Sequence, residues 1–141
     1  MYGFFMITEN NISHLNDKEI FVFGANCAGI HGLGAAKQAL KWGAIWGQPE
    51  GLQGRTYGIP TKDKTIRRTL SISEIKPYVD RFISFAKTRP DLIFIVTEVG
   101  CGLAGLKPEE VAPLFQDAMN IKNIYLPRRF HNKLIKHDRL F

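Results

Sequence analysis

The chain has 141 residues, a length typical of one domain, and its 45% apolar content is enough to build a sizeable core. Cys27 and Cys101 stand far apart without CxxC spacing, and the four histidines have no metal-binding spacing. We therefore expect reduced thiols, no metal and no cofactor.

The N-terminal stretch lacks the basic n-region of a signal peptide, and the apolar run at residues 92–96 is far below the ~20 residues of a membrane span. These features predict a cytoplasmic protein without a membrane partner.

The net charge of +6 is unevenly placed along the chain. One basic cluster lies in the middle of the sequence and a second near its end: Lys62, Lys64, Arg67 and Arg68, then Arg128, Arg129, Lys133, Lys136 and Arg139. Such an excess favours anionic partners, including nucleic acid. A solvated basic surface explains it equally well, so the charge alone does not decide between them.

Apolar runs and breakers in the first half of the chain predict alternating strands and helices. A strand over residues 19–23, ended by Gly24, precedes a glycine-rich loop. A short helix over residues 35–42 follows, and Gly43 occupies the position that commonly closes a helix. Residues 56–59 form a second predicted strand, which we expect the following proline to end.

The second half continues the same alternation. Apolar residues at helical spacing predict a helix over residues 73–87, capped by its first serine. The continuous apolar run at residues 91–97 is typical of a central strand covered on both faces. Pro108 starts another helix, in which Pro113 predicts a kink, and residues 123–126 form a last strand before a basic terminal helix. Together these elements predict an α/β fold with a central sheet.

Two glycine-rich loops, residues 24–34 and residues 100–105, each join a strand to a helix. Glycines let the backbone approach a phosphate closely, and ligands of open α/β sheets bind beyond the carboxyl ends of the strands. Two such loops at one edge therefore suggest a ligand with more than one phosphate. Tight turns without a ligand are the alternative. The glycine order matches neither the Rossmann fingerprint nor a P-loop.

Other candidate chemistry is sparse. Cys101 and His31 lie in different glycine loops, and a Cys/His nucleophilic pair is conceivable. A buried, inert thiol is the commoner fate of such a cysteine. Lys62 and Asp63 follow a predicted strand, where functional side chains of α/β proteins gather, although a solvated loop lysine explains Lys62 as simply.

Several motifs in this order resemble a known family. They are Gly32-Leu-Gly34-Ala-Ala36, a strand ending in Thr61-Lys62, and Gly100-Cys-Gly102-Leu103 before a helix. The chain is similar to the macrodomain superfamily, and within it to the terminal ADP-ribose protein glycohydrolase branch, over about residues 19–126. It also looks like a group of bacterial and phage proteins that share F-G-x-N, Y-x-I-P-T and G-C-G-L-A-G. Residues 1–141 then form a single domain with a basic C-terminal segment at residues 127–141.

The resemblance implies a three-layer α/β/α fold with a central mixed sheet, which binds ADP-ribose or a related nucleotide and meets ADP-ribosylated protein as a partner. Lys62 matches the lysine that attacks the distal ribose in that branch, so it is the implied catalytic residue. The implied ligand-binding residues are those of the two loops: Asn26, Gly32, Leu33, Gly34, Gly100, Cys101, Gly102, Leu103 and Ala104.

The sequence departs from the family pattern at Ala104, where the branch has an aspartate that serves as acid and base. General acid–base help is worth ~100-fold or more in rate, so the departure weakens the hydrolase hypothesis. Asp63 or Glu98 could replace the aspartate. Three functions remain open: a nucleotide-binding module with at most weak hydrolase activity, an active ADP-ribosyl hydrolase, and a nucleic-acid-associated phage or host protein.

Overall fold

The computed structural model describes residues 6–9 and 11–138. Strands and helices alternate along this part of the chain. In chain order they are β1 (Ile7–Thr8), β2 (Glu19–Asn26), α1 (Gly34–Ala39), β3 (Gly51–Gln53), β4 (Thr56–Lys62), α2 (Ile72–Lys87), β5 (Ile93–Val96), α3 (Pro108–Val111), β6 (Ile124–Pro127) and α4 (Arg128–Asp138). Short 3-10 helices at Leu40–Trp42 and Ala112–Ala118 continue α1 and α3. Arg139 of the basic C-terminal cluster and residues 1–5 of the apolar N-terminal stretch lie outside the described residues.

The strands form one mixed sheet in the order β1-β6-β5-β2-β4-β3. Neighbouring strands are parallel throughout, except that β3 runs antiparallel to β4. β5 lies between β6 and β2, which confirms the central position that its continuous apolar sequence predicted. Because β2, β4 and β5 are parallel, their carboxyl ends meet at one edge of the sheet.

Helices cover both faces of the sheet, which confirms the three-layer α/β/α fold. Alternate residues of β2 point to opposite layers: Ile20 and Val22 join the larger core cluster with α2, α3 and α4. Phe21, Phe23 and Ala25 join a smaller cluster with α1. The period-2 alternation of a strand thus builds both cores from one segment.

α2 begins at a different residue from the one predicted. Its N-cap is Ser71, not Ser73, because Glu74 stands three residues after Ser71 and the two form a capping box. Pro77 therefore lies inside the helix rather than in its first turn. The predicted inner face is correct, since its four members are buried in the larger core: Ile75, Val79, Phe82 and Ala86.

Two strands run further than predicted, through the residues expected to end them. β2 continues through Gly24 to Asn26, and β4 continues through Pro60 to Lys62. Pro60 is tolerated because it pairs with β2 where the register of the two strands shifts. Both extensions carry the strands into the edge where the glycine loops meet.

The C-terminal segment is part of the core. α4 follows β6 directly, as predicted, and its Phe130 and Leu134 are buried in the larger cluster. Pro113, where a kink was predicted, lies in the 3-10 helix Ala112–Ala118 that follows α3, so the α-helical part ends at Val111. No helix within the described ranges is long and apolar enough to cross a bilayer.

Candidate functional site

A cleft of about 710 Å³ opens at the carboxyl ends of β2, β4 and β5. Its volume is typical of small-molecule sites. The structure brings together in its lining the residues that the family resemblance implied: Asn26, Gly32, Leu33, Gly34, Lys62, Gly100, Cys101, Gly102, Leu103 and Ala104. It adds lining residues that sequence reasoning missed or left as alternatives, chiefly Ile30, Thr61, Ile66, Thr97 and Glu98. Thr61 lines the cleft because β4 runs further than predicted, and Ile66 lies in the segment after β4, whose conformation local patterns did not reveal.

Gly32 and Gly102 differ from the other glycines that the structure describes. Neither has a positive φ, and a Cβ atom added at either position would meet no protein atom within 4 Å. Every other described glycine has a positive φ or a close neighbour. The fold itself therefore gives no reason for glycine at these two positions. Both line the cleft, where a missing side chain leaves room for a ligand to approach the backbone.

The two loops also offer unpaired backbone donors. The N–H groups of residues 32–34 and residues 102–104 donate to no acceptor among the residues described. The second loop is nevertheless fixed, because the carbonyl of Gly102 accepts from the N–H of Gly105 at 3.0 Å and the carbonyl of Ala104 accepts from Thr69 Oγ1 at 2.7 Å. Unpaired N–H groups of residues that line a cleft are suitable partners for an anion.

The rim of the cleft is apolar. Leu33 and Leu103 keep 66% and 63% of their surface exposed, and Ile30 is also exposed beside them. The loops approach each other here, since a Cβ atom at Gly34 would lie 3.3 Å from Cδ1 of Leu103. Exposed aliphatic side chains beside a cleft provide contact surface for the uncharged parts of a ligand.

Lys62 lies at the carboxyl end of β4, and its backbone is held on two sides. Its carbonyl accepts from the N–H of Cys27 at 2.8 Å, and it forms an antiparallel bridge with Thr69. Its side chain lines the cleft and has no hydrogen-bond or ion-pair partner in the described part of the chain. Lys62 is thus available to an anionic ligand, whereas the carboxylate of Glu98, which also lines the cleft, is paired with Arg129.

Asn26 organises the first loop from within. Its side-chain amide donates to the carbonyl of Ile30 at 2.8 Å, and its Oδ1 accepts from the N–H of Ile30 at 3.0 Å. The N–H of Gly29 closes the same turn on the Asn26 carbonyl. Both polar atoms of the side chain are therefore engaged in holding the loop, while the residue lines the cleft that the loop borders.

Glu98 forms an ion pair with Arg129 of α4 at the side of the cleft. Arg129 Nε and Nη2 lie 2.6 and 2.5 Å from the two carboxylate oxygens. The hydrogen bonds from Arg129 lower the pKa of Glu98, and the carboxylate in turn raises the pKa of Arg129. A second cleft of about 540 Å³, lined by Arg128 and Arg129, shares Ala35, Thr97 and Glu98 with the first.

Cys101 and His31 are not brought together as a catalytic pair. Burial, followed by the charge of Glu98, raises the pKa of the Cys101 thiol to about 11, so the nucleophilic thiolate is scarce at neutral pH. His31 is fully buried and is not among the residues lining the cleft. Its Nε2 lies 2.8 Å from the carbonyl of Ile45, and its ring packs edge-on against Phe23.

The segment after β4 folds back on itself and carries a strained residue. Ile66 has a φ of 67°, which is rare for a β-branched residue, and it lines the cleft. Asp63 stabilises this segment, because its carboxylate accepts from Thr65 Oγ1 at 2.6 Å and pairs with Arg68 at 3.4 Å. Asp63 is not a lining residue, whereas Glu98 is.

Comparisons with protein-family models, curated proteins and solved structures gave no significant match. Both cysteines are free, as expected. Among the described residues, no group of three or more His, Cys, Asp or Glu side chains is arranged to hold a metal ion. The features of the described residues that bear on function are the cleft, its unpaired backbone N–H groups and Lys62.

Proposed function

We propose that this cleft binds ADP-ribose or a related nucleotide, with the diphosphate against the two glycine loops, and that the chain is a macrodomain-like protein of the cytoplasm. The observation that carries the proposal concerns Gly32 and Gly102. The fold does not require glycine at either position, and both belong to loops with N–H groups that have no acceptor among the described residues. A diphosphate needs several donors and a close approach to the backbone, and both are available here. Lys62 adds a positively charged residue to the lining of the same cleft.

Weak hydrolysis of an ADP-ribosylated protein is the second candidate function, and the unpaired ammonium of Lys62 favours it. A deprotonated amine in a cleft can attack the anomeric carbon of a ribose, forming a C–N bond while the C–O bond to the modified protein breaks. The protein's oxygen leaves and takes up a proton from an acid, and water then hydrolyses the lysine adduct to release ADP-ribose and the free amine. The missing element is an acid. Ala104 has no titratable group, and Glu98 is kept ionised by Arg129, so it has no proton to donate near neutral pH. We therefore expect the protein to bind ADP-ribose but to hydrolyse ADP-ribosylated protein only slowly.

Calorimetry and thermal melting with ADP-ribose test the binding proposal. Ligand at ~100 times the Kd should add ~2.7 kcal/mol of stability and raise Tm accordingly. Gly102→Val should abolish binding, because its side chain would occupy the path of the phosphate, while the unliganded protein melts as before. Ser84→Val, at an exposed position of α2, is the matched control and should bind normally. No Tm shift at millimolar ADP-ribose, or full binding by Gly102→Val, would contradict the proposal.

A further inference from the structure

Glu98 is an unexpected residue for a cleft that offers donors to anions. A carboxylate repels phosphate, yet this one lies on the wall shared by the two adjoining clefts. It follows β5 at the edge where β2 and β4 also end. Its side chain keeps 34% of its surface exposed, so it remains accessible to a bound molecule.

The ion pair with Arg129 fixes the carboxylate without exhausting it. Each oxygen accepts one hydrogen bond from the guanidinium, at 2.6 and 2.5 Å, and a carboxylate has about four acceptor positions in total. Each oxygen therefore keeps a free acceptor position in a fixed orientation. Because its pKa is lowered, the group is an acceptor and not a donor at neutral pH. Its partner must supply two adjacent donors that carry no negative charge.

We propose that Glu98, positioned by Arg129, accepts hydrogen bonds from the adjacent hydroxyl groups of a ribose and selects ribonucleotide ligands against deoxy and 2′-phosphorylated ones. The inference rests on the proposed function and deepens it. A vicinal diol presents two neutral donors side by side, and acidic residues bind the ribose in this way in other nucleotide sites. A 2′-phosphate would instead place charge against charge.

A purely structural role for the pair is the competing explanation. Arg129 would then only tie α4 to the end of β5. Exposed ion pairs contribute little to stability, and α4 is already anchored by the buried Phe130. Such a role predicts that removing Glu98 changes the affinity for all ligands alike, whereas ribose recognition predicts a change in the ratio between ligands.

The experiment measures the Kd of four ligands by calorimetry: ADP-ribose, its two analogues lacking the 2-hydroxyl of one or the other ribose, and ADP-ribose 2′-phosphate. Wild type should bind one deoxy analogue at least tenfold more weakly than ADP-ribose. In Glu98→Ala the ratio of the Kd of that deoxy analogue to the Kd of ADP-ribose should fall to about two. If the discriminated analogue is the one that lacks the 2′-hydroxyl of the adenosine ribose, the 2′-phosphorylated ligand should also gain affinity, because Arg129 is released. Arg129→Met should lower the same ratio of Kd values, because the Glu98 carboxylate is no longer held in position. Arg129→Lys, which keeps the positive charge, should give a ratio between those of Arg129→Met and wild type.

Asp80→Ala is the matched control, because it also breaks an exposed ion pair, that of Lys76 on α2. It should leave all four Kd values unchanged. Equal binding of ADP-ribose and both deoxy analogues by wild type, or an unchanged ratio in Glu98→Ala, would overturn the inference while the proposed function stands. Failure of wild type to bind ADP-ribose would overturn the proposed function and this inference with it.

Discussion

Lys62 and Ala104 line one cleft from different elements, the first from the end of β4 and the second from the loop after β5. If the lysine is a nucleophile without an acid, then Ala104→Asp should raise turnover of an ADP-ribosylated protein by up to ~100-fold. Lys62→Ala in the same background should remove the gain, because nucleophile and acid act as a unit. Release of ADP-ribose measures the rate, and the Kd of each variant shows whether the new carboxylate repels the diphosphate.

Rapid turnover by wild type that persists in Lys62→Ala would contradict this assignment. Lys62 and Ala104 were named through the resemblance to the macrodomain family, since the local pattern explained Lys62 equally well as a solvated loop lysine. Glu98 was named only as a possible replacement for the missing acid, and its pairing with Arg129 was not predictable because it joins residues 31 positions apart. The same limitation applies to Asn26, whose side chain holds the loop and whose role depends on the conformation of that loop.

At the scale of elements, α4 is the segment whose importance the sequence underestimated. The sequence predicted a basic terminal helix here without assigning it a place in the core, and Phe130 is fully buried, with its ring 5.6 Å from that of Phe115. Phe130→Ala should destabilise the protein by roughly 3–5 kcal/mol, because it leaves a cavity in the core. Lys133→Ala, at an exposed position of the same helix, should change stability by less than about 0.5 kcal/mol. Denaturation by urea measures both, and a loss below ~1 kcal/mol for Phe130→Ala would contradict the packing.

Element ends were harder to predict than element cores. Gly24 and Pro60 read locally as strand breakers, and both lie inside strands, because neighbouring strands supply pairing that local propensity ignores. Ser71 and Ser73 are equivalent caps by residue type, and the glutamate three positions after Ser71 decides between them. The middle parts of the elements were predictable. In α2, for example, apolar residues recur at helical spacing over four turns, and this spacing fits a helix and not a strand.

At the scale of the whole molecule, the sheet order had no signature in the sequence. β1 and β3 are only two and three residues long, too short to show alternation, and their places depend on pairing with β6 and β4. The meeting of the two glycine loops was nevertheless predictable, since parallel strands end at a common edge. The adjoining second cleft was not, because α4 forms part of it.

Exposed carboxylates held by arginine or by hydrogen bonds predict how the whole fold responds to acid. Hydrogen bonds from Arg68 lower the pKa of Glu74 to about 2, and Arg129 and Arg89 lower those of Glu98 and Asp91. Depressed native pKa values mean that the unfolded chain binds more protons. Stability should therefore be constant above the ordinary carboxyl range, near pH 4.5, and decline as the pH falls from there towards 2.

The decline should be modest, because these groups are exposed and screened by solvent. Urea denaturation between pH 7 and pH 2 measures it. Arg68→Gln should make the curve shallower, since it removes the main cause of the Glu74 shift. Arg67→Gln is the control: it removes the same charge from the neighbouring position, where no ion pair with a described residue is formed, and should leave the shape of the curve unchanged. If the two variants give the same acid profile, the specific pairing of Arg68 with Glu74 does not set the pH dependence, and net charge alone does.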